Sequence, residues 1–351
     1  MFKVLLSSFD LQNEMIRNAL QEELGPLLFA KLQIEVLPLK GLSTLKVADR
    51  LIEIIDEVEI LVVYEAPVTN KVIEAGKKLK LIVSARGGPV NIDIKTARNQ
   101  GILVSNAPGH NAEAVADHAF ALLLAEVKNI VTGDKAVRNG LWASLKDKLA
   151  FQSFEISGKT IGVVGFGNIG PLIAKRAKGF GMRILVYDPY VPEKKIQSCC
   201  GEKVDFDTLL RESDLITIHV RLTPETFHLF GEKQFALMKP SAILVNVSRG
   251  PIIDEDALYE SLKGRRIAGA GLDVFEEEPI AADHPLCTLE NVILTPHIAY
   301  VGTDYHRGSK MVAEEINLYL RGEPLKYVVN SDSYLFERNV YDKIFKGRRI
   351  R

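Results

Sequence analysis

The stretch from residue 158 to residue 188 constrains the fold more than any other part of the chain. It begins with an apolar, β-branched run at Ile161–Val164, continues through a glycine-rich turn and a helix-like segment, and reaches a second apolar run at Ile184–Tyr187. The turn, residues 165–170, reads GFGNIG and fits the pattern G-x-G-x-x-G. An order of strand, turn, helix and strand predicts a parallel βαβ unit.

The three glycines of this turn each suit one requirement of a dinucleotide site. Gly165 permits a tight turn, Gly167 lets the backbone approach a pyrophosphate, and Gly170 lets the helix pack closely on the strand. The phosphates would bind the free N–H groups at the start of the helix. Asp188 lies 18 residues after Gly170, near the spacing of about 20 at which a carboxylate accepts both ribose hydroxyls. It would also repel a 2′-phosphate, so we predict NAD rather than NADP; the alternative is a plain glycine turn and a surface aspartate.

Composition indicates an ordinary enzyme and excludes several other classes. The chain of 351 residues has room for two domains, and a formal net charge of −1 leaves no basic field for nucleic acid. No apolar run approaches the ~18 residues of a membrane span. Cys199, Cys200 and Cys287 form no CxxC pair, which argues against zinc and against a disulfide framework. We therefore expect a cytoplasmic protein with no metal and neither a nucleic-acid nor a membrane partner.

The rest of the chain alternates strand-like and helix-like segments. The strands expected in the first third are Phe2–Ser7, Ile34–Leu37, Ile60–Tyr64, Leu81–Ser84 and Ile102–Ser105. Those expected after the glycine motif are Leu215–His219, Ile243–Val247, Gly269–Asp273 and Val292–Thr295. Between the two sets, the stretch from Asn111 has few breakers and predicts one buried helix of about six turns or more. The pattern predicts an α/β protein with two doubly wound domains and an active site in the cleft between them.

Three side chains at strand ends could carry out hydride-transfer chemistry with NAD. Arg249 could hold a carboxylate, His297 could take the hydroxyl proton, and Glu278 could orient that histidine. Ligands of open α/β sheets bind at the carboxyl ends of strands, where all three lie. From the residues alone, His297 could be structural and Arg249 could cap a helix through a salt bridge. Glu276, Glu277 and Glu278 are also hard to distinguish.

Several motifs occur in an order that resembles a known family. They read VVGFGNIG, HVRLTPET, ILVNVSRGPIIDEDAL, AGAGLDVFEEEP and LTPHIAY, preceded by ARGGPVNID and APGHNAEAVADHAFALLLAE. Over about residues 1–330 the chain resembles the D-isomer-specific 2-hydroxyacid dehydrogenases, which include phosphoglycerate dehydrogenases. The resemblance implies a flavodoxin-like substrate domain (1–106 plus 299–330), a Rossmann NAD-binding domain (107–298) and a homodimer formed through the latter. The basic tail, 331–351, is interpreted as a solvated terminus or, alternatively, as an interaction segment.

The resemblance also implies the roles of particular residues. Arg249, Glu278 and His297 would form the catalytic set. The loop Arg86, Gly87 and Gly88 would bind the substrate carboxylate through backbone N–H groups near the glycines. The Arg86 side chain could add its charge to this binding or could form a structural salt bridge. The residues expected to contact NAD are Gly165, Gly167, Asn168, Ile169, Gly170, Asp188, His219, Val247, Ser248 and Asp273. Of these, His219 is included because it opens the loop after a strand of the nucleotide domain.

These features predict an NAD-dependent dehydrogenase that interconverts a D-2-hydroxy acid and its 2-oxo acid. Formate dehydrogenases, a close alternative, pair the histidine with glutamine where this chain has Glu278. An NAD-sensing corepressor would keep the same residues, whereas a GxGxxG methyltransferase would not need them. Two departures from the family pattern are Arg221, where proline is common, and Glu65, whose charge argues against 3-phosphoglycerate. The sequence does not identify the hydroxy acid.

Overall fold

The computed structural model describes residues 1–143, 153–302 and 305–330. The chain forms two compact units, and each is described by itself below. One unit comprises Met1–Asn111 together with the described residues from Gly302 onward, and the other is Ala112–Val301. The basic tail discussed above, 331–351, lies outside the described residues.

The first unit is built on a five-stranded parallel sheet. Its strands are β1 (Phe2–Ser7), β2 (Leu32–Val36), β3 (Ile60–Val63), β4 (Leu81–Ser84) and β5 (Leu103–Ser105). Its helices are α1 (Asp10–Phe29), α2 (Thr44–Ile54), α3 (Asn70–Ala75), α4 (Ile94–Asn99) and the last helix of the chain, α12 (Tyr305–Arg321). The strand order β2-β1-β3-β4-β5 is that of flavodoxin-like sheets.

Both faces of this sheet are covered, which explains why every residue of β3, β4 and β5 is buried. Successive side chains of a strand alternate between faces, so Val4 and Leu6 enter one core and Leu5 enters the other. The first core also receives Ile316 and Tyr319 of α12. The end of the described chain therefore completes the unit with which the chain begins.

The second unit contains a seven-stranded parallel sheet. Its strands are β6 (Thr160–Val164), β7 (Arg183–Tyr187), β8 (Glu202–Lys203), β9 (Leu215–Ile218), β10 (Ile243–Asn246), β11 (Gly269–Leu272) and β12 (Val292–Leu294). Its helices are α5 (Ala112–Val127), α6 (Ile130–Arg138), α7 (Gly170–Gly179), α8 (Glu193–Ser198), α9 (Phe206–Glu212), α10 (Glu232–Leu237) and α11 (Glu255–Lys263). The order β8-β7-β6-β9-β10-β11-β12 is the Rossmann order with one added strand. The predicted fold class is confirmed.

The prediction of a single long helix from Asn111 is wrong. The helix ends at Val127 and a new one begins at Ile130, because Asn129 adopts a left-handed backbone with φ of 52°. Asparagine tolerates this conformation better than most residues. Tertiary contacts hold the break: Lys128 Nζ donates to the Phe154 carbonyl at 2.8 Å, and Asn129 Nδ2 donates to Ser153 Oγ at 3.1 Å.

None of the helices within the described ranges is long and apolar enough to cross a membrane.

Candidate active site

The glycine-rich turn between β6 and α7 has little room for side chains at its first and third glycines. Gly165 has φ of 95°, and a Cβ added there would lie 2.8 Å from the carbonyl oxygen of His219 at the end of β9. A Cβ at Gly170 would lie 2.7 Å from the Gly165 carbonyl. At Gly167, in contrast, a Cβ would meet no atom within 4 Å. The backbone is thus packed on the protein side and open at the position where a pyrophosphate must approach.

The start of α7 offers unused backbone donors beside this opening. Over the described ranges, the N–H groups of Gly167, Asn168 and Ile169 have no hydrogen-bond acceptor. Pro171 occupies the first turn of α7, where its missing N–H is of no consequence. Free N–H groups at the positive end of a helix bind anions, so this turn fits the pyrophosphate of NAD.

Asp188, directly after β7, forms a hydrogen bond with the backbone of the glycine turn. Its Oδ2 accepts from the Phe166 backbone N–H at 2.8 Å. Its Oδ1 accepts from the N–H groups of Tyr190 and Val191 at 2.9 and 3.1 Å. The carboxylate therefore fixes the conformation of the turn, a role beyond the ribose contact expected from the sequence.

His219 follows β9, next to β6 at the point where the strand order reverses. Its Nε2 lies 2.9 Å from Thr217 Oγ1, while its buried Nδ1 has no partner within the described part of the chain. Burial lowers the pKa of His219 to about 3. The imidazole is therefore neutral and can contact a cofactor only as a hydrogen-bonding group, not as a cation.

His297 and Glu278 form a hydrogen-bonded pair at the carboxyl end of the sheet. His297 Nδ1 lies 2.6 Å from Glu278 Oε2, and Glu278 Oε1 accepts from the Phe275 N–H at 3.1 Å. His297 Nε2 forms no hydrogen bond with any described residue, and the side chain is 41% exposed. Glu278 thus fixes the orientation of the imidazole, and Nε2 is the nitrogen available to a ligand.

Asp273 shapes the loop that carries His297, a function that the sequence did not reveal. This fully buried residue follows β11, and its Oδ1 accepts from Thr295 Oγ1 at 2.6 Å and from the Ile298 N–H at 2.9 Å. Its Oδ2 accepts from the Ala299 N–H at 2.8 Å. The carboxylate therefore holds residues on both sides of His297, whose φ of 52° lies in the left-handed region. Both of its oxygens are already engaged, so a contact with the nicotinamide carboxamide remains a prediction.

A histidine on α5 supports this loop as well. His118 Nε2 lies 3.1 Å from Thr295 Oγ1 and 3.4 Å from Asp273 Oδ1. Since the Thr295 hydroxyl donates to Asp273, the imidazole N–H must be the donor to Thr295. Sequence reasoning missed His118, because it lies 177 residues before Thr295 in the chain.

Arg249 lies in the loop that follows β10. It is exposed, its Nη1 donates to the Ser248 carbonyl at 2.6 Å, and no carboxylate of a described residue pairs with it. The alternative of a helix-capping salt bridge therefore finds no support. Val247 is buried, and Ser248 Oγ donates to the Ile218 carbonyl at 2.9 Å, which joins this loop to β9.

Gly250 lies where the loop that carries Arg249 contacts the loop that carries Glu278. A Cβ at this position would lie 1.8 Å from the carbonyl carbon of Phe275, so the two backbones are in direct contact. Phe275 in turn donates its N–H to Glu278. This contact links the loop of Arg249 to that of Glu278.

Hydrogen-bond partners distinguish the three consecutive glutamates, Glu276, Glu277 and Glu278. Glu276 Oε1 lies 2.9 Å from His228 Nε2 and 3.3 Å from the Glu255 backbone nitrogen, which donates to it. Among Glu276, Glu277 and Glu278, only Glu278 contacts His297.

In the first unit, the predicted substrate loop follows β4. Asn106 Nδ2 donates to the Gly87 carbonyl at 2.8 Å, and the Ala107 N–H donates to the Arg86 carbonyl at 3.0 Å. The N–H groups of Gly87 and Gly88 have no acceptor among the described residues. The carbonyls of this loop are thus fixed from one side, while two N–H donors are available to an anion.

Comparison with known proteins agrees with this geometry. Residues 120–299 match the family described as D-isomer specific 2-hydroxyacid dehydrogenase, NAD binding domain. The chain is 46% identical to a glyoxylate reductase of Korarchaeum cryptofilum, over 76% of this chain and 80% of that protein. It is 45% identical to a D-3-phosphoglycerate dehydrogenase of Methanocaldococcus jannaschii, over 80% of this chain and 53% of that protein.

Solved structures show the same fold. The apo form of D-mandelate dehydrogenase from Rhodotorula graminis superimposes with a TM-score of 0.81 at 26% identity, covering 94% of this chain and 98% of that one. The protein belongs to the D-isomer specific 2-hydroxyacid dehydrogenases. As a member of that family, it is an NAD-dependent oxidoreductase.

Proposed function

We propose that the protein reduces a 2-oxo acid to the D-2-hydroxy acid, and catalyses the reverse reaction, with His297 and Glu278 as the proton relay. Bound NADH would supply the hydride to C2. His297 Nε2 would donate the proton to the carbonyl oxygen during reduction and accept it from the hydroxyl during oxidation. The 2.6 Å contact between His297 Nδ1 and Glu278 carries this proposal, because it fixes the tautomer and stabilises the protonated imidazole.

Arg249 would anchor the substrate through its carboxylate or its carbonyl oxygen. A guanidinium presents paired donors that match a carboxylate, and this one has no carboxylate partner of its own among the described residues. The N–H groups of Gly87 and Gly88 would bind the substrate carboxylate, since they too have no acceptor there.

The relatives support a small 2-oxo acid as the substrate. Proteins 40–46% identical to this chain carry the names glyoxylate reductase, hydroxypyruvate reductase and D-3-phosphoglycerate dehydrogenase. These names denote reactions at C2 of short hydroxy acids, and they do not favour the corepressor alternative. The pairing of His297 with a carboxylate also argues against formate oxidation, which needs no base for a hydroxyl proton.

We further propose NAD rather than NADP as the cofactor, and a homodimer formed through the second unit. The carboxylate of Asp188 at the end of β7 supports the cofactor choice.

The dimer is supported by large exposed apolar side chains on and after α6: Ile130, Val137, Leu141 and Trp142. If the dimer forms there, Val137→Glu should yield a monomer by sedimentation velocity, whereas an unchanged sedimentation coefficient would remove this surface from consideration. The cysteines are all free, which is consistent with the proposed cytoplasmic location.

The test of the proposed reaction is NADH oxidation with glyoxylate, hydroxypyruvate, pyruvate and longer 2-oxo acids. We expect turnover of at least one acid, with a loss of about 10²–10⁴-fold in kcat for His297→Gln. His228→Gln is the matched control, because His228 forms a similar pair with Glu276 at 2.9 Å outside the site. NADH binding without turnover of any acid, or equal losses in the two variants, would contradict the proposal.

A further inference from the structure

One largely buried carboxylate near the site has no part in the mechanism proposed above. Glu255 is the first residue of α11, and only 12% of its side chain is exposed. Burial raises the pKa of its carboxyl above the usual value. A carboxylate in such a place is unfavourable unless hydrogen bonds replace its hydration.

Capping of α11 does not explain the position of Glu255. The N-cap is Asp254, whose Oδ1 accepts from the Ala257 N–H at 3.0 Å. Asp256, which is exposed, adds an acidic side chain to the first turn. The helix therefore has a capped start and an acidic first turn without Glu255.

Glu255 instead binds the loop that follows β11. Its Oε1 accepts from the Glu276 backbone N–H at 2.7 Å, and its own N–H donates to Glu276 Oε1 at 3.3 Å. Its Oε2 lies 3.4 Å from His284 Nε2. The Glu276 N–H has no other acceptor among the described residues. The carboxylate of Glu255 therefore fixes a peptide group that lies 21 residues further along the chain.

The same stretch of loop carries the glutamate of the proton relay. Phe275, the residue before Glu276, donates its N–H to Glu278 Oε1 at 3.1 Å. The other oxygen of Glu278 lies 2.6 Å from His297 Nδ1. Because Phe275 and Glu276 are adjacent, a displacement of the Glu276 N–H also moves the donor that holds Glu278.

The backbone of residues 275 and 276 is in contact with two neighbouring segments. A Cβ added at Gly250 would lie 1.8 Å from the Phe275 carbonyl carbon and 2.3 Å from the Glu276 nitrogen. This contact is one of close packing, whereas Glu255 forms a directional hydrogen bond. His228 differs from both, since its Nε2 lies 2.9 Å from the Glu276 side chain rather than from the backbone. Glu255 is therefore the side chain that orients this peptide group.

We propose that Glu255 is a positioning residue of the active site, which holds residues 275–278 so that Glu278 is directed at His297 Nδ1. This inference rests on the proposed function, in which His297 and Glu278 transfer the proton. Glu255 acts through Glu276 and forms no hydrogen bond with His297. Its role therefore requires an acceptor oxygen at Oε1 and not a negative charge.

The experiment compares Glu255→Ala with Glu255→Gln in NADH oxidation by the 2-oxo acid that the unmodified protein reduces fastest. Glu255→Ala removes the acceptor and should lower kcat about tenfold or more, because a displacement of about 1 Å at a reacting group can reduce the rate about 10²-fold. The KM values for the acid and for NADH should stay nearly unchanged. Glu255→Gln keeps an acceptor oxygen and removes the charge, so it should retain most of the kcat.

A solvent isotope effect provides a readout that a purely structural role would not change. A misplaced His297 slows proton transfer relative to the other steps. The ratio of kcat in ordinary water to kcat in heavy water should therefore be larger for Glu255→Ala than for the unmodified protein. Glu255→Gln should give the ratio of the unmodified protein.

Two further variants control for charge and folding. Glu232→Ala removes a carboxylate from the same position of α10, where Glu232 is 82% exposed and lies 3.8 Å from Arg266. It should leave kcat and the isotope ratio unchanged. If Glu255→Ala does not fold, Glu255→Asp replaces it, because the shorter side chain withdraws the carboxylate by one methylene group. This variant should also lower kcat without raising KM.

The outcomes separate this inference from the proposed function. An unchanged kcat after removal or withdrawal of the carboxylate, or an equal loss of kcat in Glu255→Ala and Glu255→Gln, would overturn the role of Glu255. So would a raised KM with an unchanged isotope ratio. Each of these results leaves the proposed reaction intact. An unchanged kcat in His297→Gln would instead contradict the proton relay on which this inference rests.

Discussion

Replacing Asp273 by asparagine tests whether this residue positions His297 or binds the cofactor. The carboxylate is fully buried and accepts three hydrogen bonds, two at Oδ1 and one at Oδ2. In the native protein, Oδ2 accepts a hydrogen bond from the Ala299 N–H at 2.8 Å. An asparagine can direct its carbonyl oxygen to Thr295 and Ile298, but its NH₂ group then faces that N–H. Two donors in contact leave a buried N–H unsatisfied.

The expected effect of Asp273→Asn on stability follows from that single lost acceptor. An unsatisfied buried group costs about 1–3 kcal/mol, and a domain of this size loses about 2–4 °C in Tm for each kcal/mol. We therefore expect a fall of about 2–12 °C in Tm by differential scanning calorimetry. Residues 298 and 299 follow His297 directly, so its imidazole should also shift. A displacement of about 1 Å at a reacting group can reduce kcat about 10²-fold.

Steady-state kinetics distinguishes the two roles. A positioning residue should lower kcat and leave the KM for NADH nearly unchanged, whereas a carboxamide contact should raise the KM for NADH. The matched control is Asp214→Asn at the opposite edge of the sheet, where Asp214 accepts from the Thr160 N–H at 2.8 Å and from Lys239 Nζ at 2.9 Å. This control should lower Tm and leave kcat unchanged. If Asp273→Asn destabilises the protein but keeps its kcat, then Asp273 does not position His297.

Three further changes test other parts of the structure. Asp188→Arg should weaken NADH binding and reduce the discrimination against NADPH, as measured by fluorescence titration with both cofactors, because the substitution removes the ribose acceptor and adds a cation. Gly250→Ala should destabilise the protein in thermal unfolding, since the added Cβ would lie 1.8 Å from the Phe275 carbonyl carbon. Glu126, whose pKa burial raises from 4.5 to about 7, binds a proton more tightly in the folded than in the unfolded chain. Its contribution to stability therefore decreases as the pH rises from about 4.5 to 7, and Glu126→Gln should stabilise the protein at pH 8, by up to about 3 kcal/mol, but not at pH 4.

Each of these expectations has a clear contrary result. A preference of the unmodified protein for NADPH would show that Asp188 does not select the cofactor. Gly167→Ala is the control for Gly250→Ala, because its Cβ meets no atom within 4 Å; equal losses of Tm in the two variants would contradict the close-packing argument. A Glu126→Gln effect that does not change with pH would show that the carboxyl group is not protonated near neutrality in the folded state.

The sequence predicted those features that short-range patterns encode. The apolar runs and the glycine turn indicated two doubly wound sheets, because buried parallel strands and dinucleotide turns have distinctive local sequences. The positions of Arg249, Glu278 and His297 after strands predicted that their loops would lie at one edge of a sheet. The contact between Glu278 and His297 agrees with that expectation.

Features that depend on distant residues could not be predicted. The break at Asn129 has neither a glycine nor a proline to announce it, and contacts with residues 153 and 154 hold it. The role of Asp273 could not be predicted, because it depends on which backbone N–H groups surround its carboxylate in the folded chain. The Arg86 guanidinium lies over the Tyr64 ring, 5.4 Å from its centroid, only because β3 and β4 are neighbours, a result of strand order that no local pattern specifies.

The return of α12 to the first unit has a consequence for how the protein is made. The 190 residues of Ala112–Val301 form an insertion between two segments of the same fold. A ribosome that adds about 5–20 residues per second therefore needs roughly 10–40 s to pass from the first segment to α12. During that interval the emerging amino-terminal sheet lacks Ile316 and Tyr319, which belong to its core. Vectorial synthesis should thus allow the inserted unit to fold first, while the nascent amino-terminal segment exposes an apolar face that a chaperone could bind.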